Sequence, residues 1–230
     1  MKGTAYGVGV GPGEPELMTF KAARIIKDAK VIAVPGKNPK EAVSYKIAEK
    51  MVPEIKDKEL IAIDMPMVKD RELIRKAHEE GADLIKKYLD RGDDVIYITL
   101  GDSTIYCTFS YLQHILERDG YRTALIPGIP SFCAAAARLN TSLTEWDEPL
   151  HVIPAVHKTD EELSGKGNFV LMKAASHMKE TKEMIKKSGK EAKAVIDCGM
   201  ESEAVYESLE EIPDDAGYFS LVIAKDNVSF

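Results

Sequence analysis

This sequence contains little cysteine and no long apolar run. Only three of the 230 residues are cysteine, and Cys107, Cys133 and Cys198 lie too far apart for a disulfide framework or a CxxC zinc motif. A run of about 18 apolar residues, which would indicate a transmembrane helix, does not occur. The N-terminal residues also lack the apolar core of a signal peptide. We therefore expect a cytoplasmic protein that does not enter the membrane.

Other missing patterns exclude several classes of function. The five histidines show no HxxxH or HExxH spacing, so no metal site is expected. Neither a Walker A motif nor a GxSxG motif occurs. The net charge is -7, from 38 Asp and Glu against 31 Lys and Arg. This balance disfavours a nucleic-acid-binding protein, because binding to phosphates depends on clustered cations.

Apolar runs and amphipathic stretches alternate along the chain, which is typical of α/β proteins. We predict strands over 6–10, 31–34, 60–63, 95–100, 123–126, 150–156, 169–173, 194–197 and 219–224, and helices over 20–28, 41–51, 70–90, 132–139 and 177–187. The first strand-helix-strand unit implies parallel pairing. The polar stretch 117–120 favours a division into an N-terminal domain, 1–119, and a C-terminal domain, 120–230.

A glycine-rich segment, residues 7–13, lies at the end of the first predicted strand. It fails the GxGxxG pattern of dinucleotide-binding folds, because either Pro12 or Glu14 stands at the last glycine position. A turn that only needs the φ range of glycine is an equal alternative to a ligand-binding role.

Two more glycine-containing turns follow predicted strands, at 101–103 and at 127–131. Open parallel sheets bind ligands at the carboxyl ends of their strands. Asp102 is therefore a candidate to accept hydrogen bonds or to face a cation, and capping the next helix is its alternative role. Ser131 is likewise a candidate ligand donor or helix cap. Because both turns follow strands, we expect them to face one cleft.

Taken in order, these motifs resemble those of the tetrapyrrole methylase family. Residues 8–19, 101–103 and 127–131 match three of its signatures, with Ser103 where the family usually has proline, and the likeness covers nearly the whole chain. Residues 97–106 and 126–132 are most similar to the C20-methyltransferases of cobalamin synthesis. Those enzymes act on precorrin-2 or on its cobalt-bearing form, cobalt-factor II.

The resemblance implies two consecutive α/β domains with a cleft between them for S-adenosylmethionine. It also implies a homodimer that acts on a small-molecule tetrapyrrole. From the charge and the lack of apolar runs we expect neither a nucleic acid nor a membrane as partner. The residues that it places at the cofactor site are Pro12, Gly101, Asp102, Ser103, Tyr106, Ser131, Phe132, Met172 and Gly199. Pro35 departs from the pattern of sirohaem-type members, which have an aspartate there, so we expect no general base at that position.

The reaction implied is direct methyl transfer from a sulfonium to the C20 meso carbon. The protein mainly has to hold donor and acceptor in line. As catalytic residues, Asp102 is expected to orient the cofactor or offset its charge, and Tyr106 is a candidate, like Glu145 and water, to accept the C20 proton. Five cations are candidates to bind substrate carboxylates: Lys37, Lys40, Arg71, Arg75 and Arg138.

Three alternatives stay open at this point. Another member of the same family, such as a uroporphyrinogen III methyltransferase or a diphthine synthase, would share the three signatures. A nucleotide-binding oxidoreductase is disfavoured by the failed GxGxxG spacing. A binding protein that has kept the fold would bind the cofactor without forming product.

Overall fold

A computed structural model describes residues 1–66, 68, 70–154, 163 and 165–226 of the chain. The chain divides into two compact units, Met1–Pro130 and Ser131–Phe230. Both contain a β-sheet with helices, as the α/β pattern of the sequence predicts.

The first unit is built on a parallel sheet of five strands. Its elements are β1 (Thr4–Gly9), α1 (Phe20–Asp28), β2 (Val31–Pro35), α2 (Val43–Met51), β3 (Glu59–Ile63), α3 (Arg71–Leu89), β4 (Val95–Thr99), α4 (Phe109–Arg118) and β5 (Arg122–Ile126). The strand order is β3-β2-β4-β1-β5, and every neighbouring pair is parallel.

Both faces of this sheet are covered, which explains why its strands read as continuous apolar runs. Alternate residues of β2 enter different cores: Ile32 packs with α1 and α2, while Ala33 packs with α3 and α4. β4 divides in the same way, with Ile98 on the first side and Tyr97 on the second. The first two connections, α1 and α2, therefore form one helical layer, and the next two, α3 and α4, form the other, so the loops at the carboxyl edge lead to different faces of the sheet.

The predicted domain boundary after residue 119 is corrected to Pro130. β5 pairs in parallel with β1 from Thr4↔Arg122 to Val8↔Ile126, so it belongs to the first sheet. The polar stretch 117–120 is instead the last two residues of α4 and the tight turn that leads to β5. Gly120 adopts φ +80° there, and Tyr121 N donates to Leu116 O at 2.9 Å. Polar composition marked a turn correctly, but only strand pairing shows that the turn lies inside a unit.

The second unit contains a mixed sheet. Its elements are α5 (Ser131–Arg138), β6 (Leu150–Pro154), β7 (Asn168–Met172), α6 (Met178–Ser188), β8 (Glu191–Ile196), β9 (Ala204–Tyr206) and β10 (Ser220–Lys225), and the strand order is β6-β7-β10-β8-β9. β10 runs antiparallel to both of its neighbours. It therefore places the carboxyl ends of β7 and β8 at the same edge, on either side of its own first residues.

Most element predictions are confirmed to within a few residues. α1 has the predicted bounds, since the Thr19 side chain accepts from Ala22 N and begins the helix there. α2 begins two residues later than predicted, after a short 3-10 turn at Pro39–Glu41. α4 and β9 were not predicted. Residues 155 and 156 of the sixth predicted strand lie outside the described residues.

No helix in the described ranges combines the length and apolar character that crossing a bilayer requires. Within the same ranges, no group of three or more His, Cys, Asp or Glu side chains is arranged to hold a metal ion.

Candidate functional site

The first unit has a topological switch point between β1 and β4. These neighbouring strands end side by side, yet β1 leads to α1 on one face of the sheet and β4 leads to α4 on the other. Loops that separate in this way leave a crevice at the carboxyl ends of the strands, which is where open α/β sheets bind ligands. The glycine-rich segment after β1 and the turn at 101–103 flank that point.

Three backbone segments meet at this edge with no room for a side chain. A Cβ on Gly9 would lie 2.5 Å from Gly101 O and 2.8 Å from Gly128 N, and a Cβ on Gly128 would lie 2.2 Å from Gly101 O. The turn after β4 therefore crosses the end of β1 and touches the turn after β5. Gly11 and Gly101 also exchange two backbone hydrogen bonds, at 3.2 and 2.8 Å, and both have positive φ. We call this contact of Gly9, Gly101 and Gly128 the glycine crossing.

The Asp102 carboxylate connects the two turns of the glycine crossing. One of its oxygens accepts from Thr104 N at 2.7 Å and from the Thr104 hydroxyl, and the other accepts from Gly128 N at 2.8 Å. Asp102 is only 7% exposed. Its alternative role as a cap of the next helix is wrong, because α4 begins at Phe109 after Thr108. The carboxylate instead holds its own turn against the turn after β5.

Ser103 supports the same arrangement from the next position. Its hydroxyl donates to Ile126 O at 2.9 Å, and the side chain is 2% exposed. Two consecutive side chains of the 101–103 turn thus bind the end of β5. A proline at position 103 would lack this hydroxyl, so the serine contributes a contact that the usual family residue would not.

A layer of buried polar side chains lies beneath the loop that follows Ser103. The Tyr97 hydroxyl is 2.8 Å from the Thr108 hydroxyl, and burial raises the pKa of Tyr97 well above its ordinary value. Burial also raises the pKa of the Cys107 thiol, which a hydrogen bond with Thr99 only partly offsets. Cys107 is therefore a protonated packing residue near neutral pH, not a nucleophile.

Pro12 and Tyr106 occupy opposite extremes of exposure at this edge. Pro12 is buried, in the bend between the glycine crossing and α1. Tyr106 is 47% exposed and has φ +48°, a backbone conformation that is costly for a residue with a side chain. The loop therefore holds an aromatic side chain at the surface of the edge in a strained conformation.

The candidate residues of the second unit lie on three of its elements. Ser131 and Phe132 open α5, which packs on β8 and β10. Met172 ends β7 and pairs with Leu221, while Ser220 pairs with Ile196 at the end of β8, three residues before Gly199. Met172 and the Gly199 turn therefore lie at the same edge of this sheet, with the start of β10 between them.

The Gly199 turn is fixed by a residue that sequence patterns did not single out. Glu203 accepts from Gly199 N at 2.8 Å and from Arg138 Nε at the end of α5. Burial alone would raise the pKa of Glu203, but these two donors outweigh it and lower that pKa. Asp197 has φ +51° in the same turn and accepts from the Ser202 hydroxyl at 2.7 Å.

Two other sequence candidates take part in structural contacts. The ion pair with Glu203 engages Arg138, one of the five cations considered for substrate carboxylates. Glu145 accepts from the Ser142 hydroxyl at 2.9 Å, and its backbone N–H donates to Glu148 at 3.0 Å. The Arg138 contact joins residues 65 positions apart, whereas both contacts of Glu145 are with residues three positions away.

Comparisons with known proteins agree on one family. The profile of the Tetrapyrrole (Corrin/Porphyrin) Methylases matches residues 4–213. The chain is 36% identical over 169 residues to the probable cobalt-precorrin-2 C(20)-methyltransferase of Methanocaldococcus jannaschii, covering 73% of this chain and 71% of that protein. It is 29% identical to the cobalt-precorrin-2 C(20)-methyltransferase of Salmonella typhimurium, covering 97% of this chain and 96% of that protein.

A solved structure shows the same fold. The uroporphyrin-III C-methyl transferase of Thermus thermophilus, complexed with S-adenyl homocysteine, aligns with a TM-score of 0.72, covering 97% of this chain and 92% of that chain. The two sequences are 18% identical, so the likeness concerns the fold alone.

The glycine crossing predicts that Gly128→Ala destabilises the first unit. A methyl group 2.2 Å from a backbone oxygen cannot be accommodated by rotating a side chain, so we expect a loss of about 3 kcal/mol or more, the upper range for overpacking. Gly217→Ala is the matched control, because nothing lies within 4 Å of its added Cβ. Urea unfolding followed by far-UV circular dichroism measures both, and equal stability of the two variants would contradict the crossing.

The role of Asp102 predicts that Asp102→Asn lowers both stability and cofactor affinity. An amide would place a donor NH2 group against the N–H of Thr104 or Gly128, so about 1–3 kcal/mol of stability should be lost. Asp57→Asn, the same change at an exposed carboxylate of the same unit, should have no effect. Calorimetric titration with S-adenosylhomocysteine should show weaker binding for Asp102→Asn. Lost stability with unchanged affinity would mean that the 101–103 turn does not contribute to cofactor binding.

Proposed function

The chain belongs to the tetrapyrrole methylase family, and from this premise we propose that it transfers a methyl group from S-adenosylmethionine to C20 of precorrin-2 or its cobalt-bearing form in cobalamin biosynthesis. The observation that carries the substrate assignment is the alignment with the Salmonella typhimurium enzyme, which extends over nearly the full length of both chains. The Methanocaldococcus jannaschii relative has the same named activity at higher identity.

The charge of the loops at the carboxyl edge of the first sheet suits a positively charged sulfonium cofactor. The segments after β1, β4 and β5, residues 10–19, 100–108 and 127–130, contain no Lys or Arg. They do contain Glu14, Glu16 and Asp102, so no cationic side chain of these segments would repel a positive sulfur. The glycine-rich backbone at the switch point allows a ligand to approach closely, beside buried Pro12.

The chemistry requires little from side chains beyond positioning. S-adenosylmethionine supplies a methyl group that is already activated by positive sulfur. The 101–103 turn holds the backbone at the switch point, and Asp102 and Ser103 keep that turn in place through the end of β5. Correct alignment of two reactants can supply on the order of 7–11 kcal/mol of a barrier. Asp102 is on this view a positioning residue, and direct contact of its carboxylate with the cofactor is not needed.

Further parts of the proposal concern the second unit, the assembly and the location. Contacts of Ser131, Phe132, Met172 and Gly199 with the cofactor stay predictions. A homodimer stays a prediction as well. The net charge of -7 supports a protein that binds no nucleic acid, and the scattered cysteines support a cytoplasmic location. Size-exclusion chromatography with light scattering checks the assembly.

The proposed reaction is tested by anaerobic incubation of the protein with S-adenosylmethionine and one of three acceptors. We expect precorrin-2, cobalt-precorrin-2 or both to gain one methyl group by mass spectrometry, and nuclear magnetic resonance to place it on C20. Uroporphyrinogen III is the matched control acceptor and should stay unmethylated. Methylation of uroporphyrinogen III alone would assign a different reaction of the same family. Cofactor binding without any product would indicate a non-catalytic protein.

Tyr106 is proposed to pack its ring against the bound cofactor. We expect Tyr106→Ala to weaken S-adenosylhomocysteine binding about tenfold, since burial of an aromatic side chain is worth about 1.5–3 kcal/mol. Tyr106→Phe keeps the ring and should bind normally in the same calorimetric titration. A large fall in kcat for Tyr106→Phe at unchanged affinity would instead assign the hydroxyl to removal of the C20 proton. Unchanged binding of both variants would place Tyr106 outside the cofactor site.

A further inference from the structure

The cations at the carboxyl edge of the first sheet are unevenly distributed. The loops after β1, β4 and β5 have none, although α1, which follows β1, carries Lys21 and Arg24 in its first two turns. On the other side, Lys37 and Lys40 follow β2, and α3, which follows β3, begins with Arg71 and Arg75 in its first two turns. β2 and β3 lie next to β4 on the side away from β1. The loops at the switch point are therefore acidic and glycine-rich, whereas the loop after β2 and the start of α3 carry cations beside them.

α3 is longer than the strands that it covers. Its 19 residues extend about 28 Å, whereas a five-residue strand extends about 17 Å. Its last residue is held at the amino edge, because Gly3 N donates to Leu89 O at 2.8 Å. The surplus of about 11 Å must therefore project beyond the carboxyl edge. Burial agrees, because the buried residues of α3 are Gly81, Ala82, Ile85 and Leu89.

Arg71 and Arg75 lie on the inward face of this projecting end. Leu89 is 18 residues after Arg71, about five helical turns, so the two share one line along the helix. Arg75 and Ala82 lie within about 40° of that line. Since Ala82 and Leu89 are fully buried, the same face carried beyond the sheet directs Arg71 and Arg75, both of them exposed, toward the carboxyl edge.

Neither arginine has an ion pair or hydrogen bond with another described residue. The other candidate cations either have an ion-pair partner or lie elsewhere. Arg138 is paired with Glu203 in the second unit, and Lys37 Nζ lies 3.9 Å from Asp64 Oδ2. Lys40 is exposed in a short 3-10 turn. Arg71 and Arg75 are thus two planar, permanently charged donors one helical turn apart, a geometry that suits carboxylates.

An aromatic surface adjoins the two arginines. His78 is next along their face of α3, and its ring stacks on Tyr111 of α4 with centroids 4.6 Å apart and planes within 11°. Tyr111 is 54% exposed. Burial lowers the pKa of His78, so this pair adds flat, uncharged surface near neutral pH. A ligand with a planar body and peripheral carboxylates is complementary to this combination.

We infer that Arg71 and Arg75 bind peripheral carboxylates of the tetrapyrrole, on the β2-β3 side of the cofactor crevice. The inference rests on the proposed function for the identity of the substrate. It deepens that function by assigning the acceptor to one half of the edge and the donor to the other. β3 and β4 are separated by β2, about 10 Å in all, a distance that a four-ring macrocycle with carboxylate side chains spans.

The test compares the double variant Arg71→Gln/Arg75→Gln with the wild type. Glutamine keeps helix propensity close to that of arginine, so thermal unfolding should be unchanged. We expect KM for the methyl acceptor to rise on the order of tenfold or more, with kcat and S-adenosylhomocysteine affinity nearly unchanged, because the contact is uniform binding to substrate. Arg71→Lys/Arg75→Lys keeps the charges without the planar donors. Its KM should lie between that of the wild type and that of the double glutamine variant.

Lys87→Gln, which removes one positive charge from the outer face of α3 near the amino edge, is the control and should leave KM unaltered. An unchanged KM in the double glutamine variant, or an equal rise in the Lys87 variant, would overturn the inference while leaving the proposed reaction intact.

Equilibrium dialysis separates failure of this inference from failure of the proposed function. The probes are precorrin-2 and cobalt-precorrin-2, each dialysed against protein saturated with S-adenosylhomocysteine, so that no turnover is needed. If the wild type methylates neither acceptor, weaker retention of a probe by the double glutamine variant than by the wild type still supports a carboxylate site at Arg71 and Arg75. Equal retention by both proteins overturns it.

Discussion

The close approach of three peptide segments at the carboxyl edge of the first sheet is the constraint on which the candidate site depends. Gly9, Gly101 and Gly128 leave no space for a side chain between the ends of β1, β4 and β5. The Asp102 carboxylate then connects the outer two segments through Thr104 and Gly128. Because these atoms are backbone groups held by buried contacts, the edge is preorganised before any ligand binds.

This rigid edge also divides the functional groups of the first unit. Charge shows the division: the loops after β1, β4 and β5 contain acidic residues and no cation, and α3 carries beside them two arginines that no other described residue pairs with. A positively charged methyl donor and a polyanionic acceptor have opposite requirements, so one sheet edge can serve both only if those requirements are met at different strands. The strand order β3-β2-β4-β1-β5 provides that separation.

The second unit supports its own candidate turn by a different device. Where the first unit uses glycine packing, the second uses the Glu203 carboxylate, which joins Gly199 to Arg138 at the end of α5. The antiparallel β10 brings the ends of β7 and β8 to one edge. In both units a buried or partly buried carboxylate fixes a glycine turn through its backbone N–H, and in both the carboxylate supports the turn instead of presenting its charge to solvent.

The amino-acid sequence alone determined the features that depend on near neighbours. The bounds of α1, the α/β alternation and the three glycine turns follow from a cap at Thr19, apolar periodicity and residue types a few positions apart. Tertiary structure decided the rest. Pairing with β1 places β5 in the first unit. The N–H of Gly128, 26 residues away, makes Asp102 a support of the turn after β5. The surplus length of α3 directs Arg71 and Arg75 toward the carboxyl edge. These outcomes depend on partners remote in sequence, and local propensity carries no information about such partners.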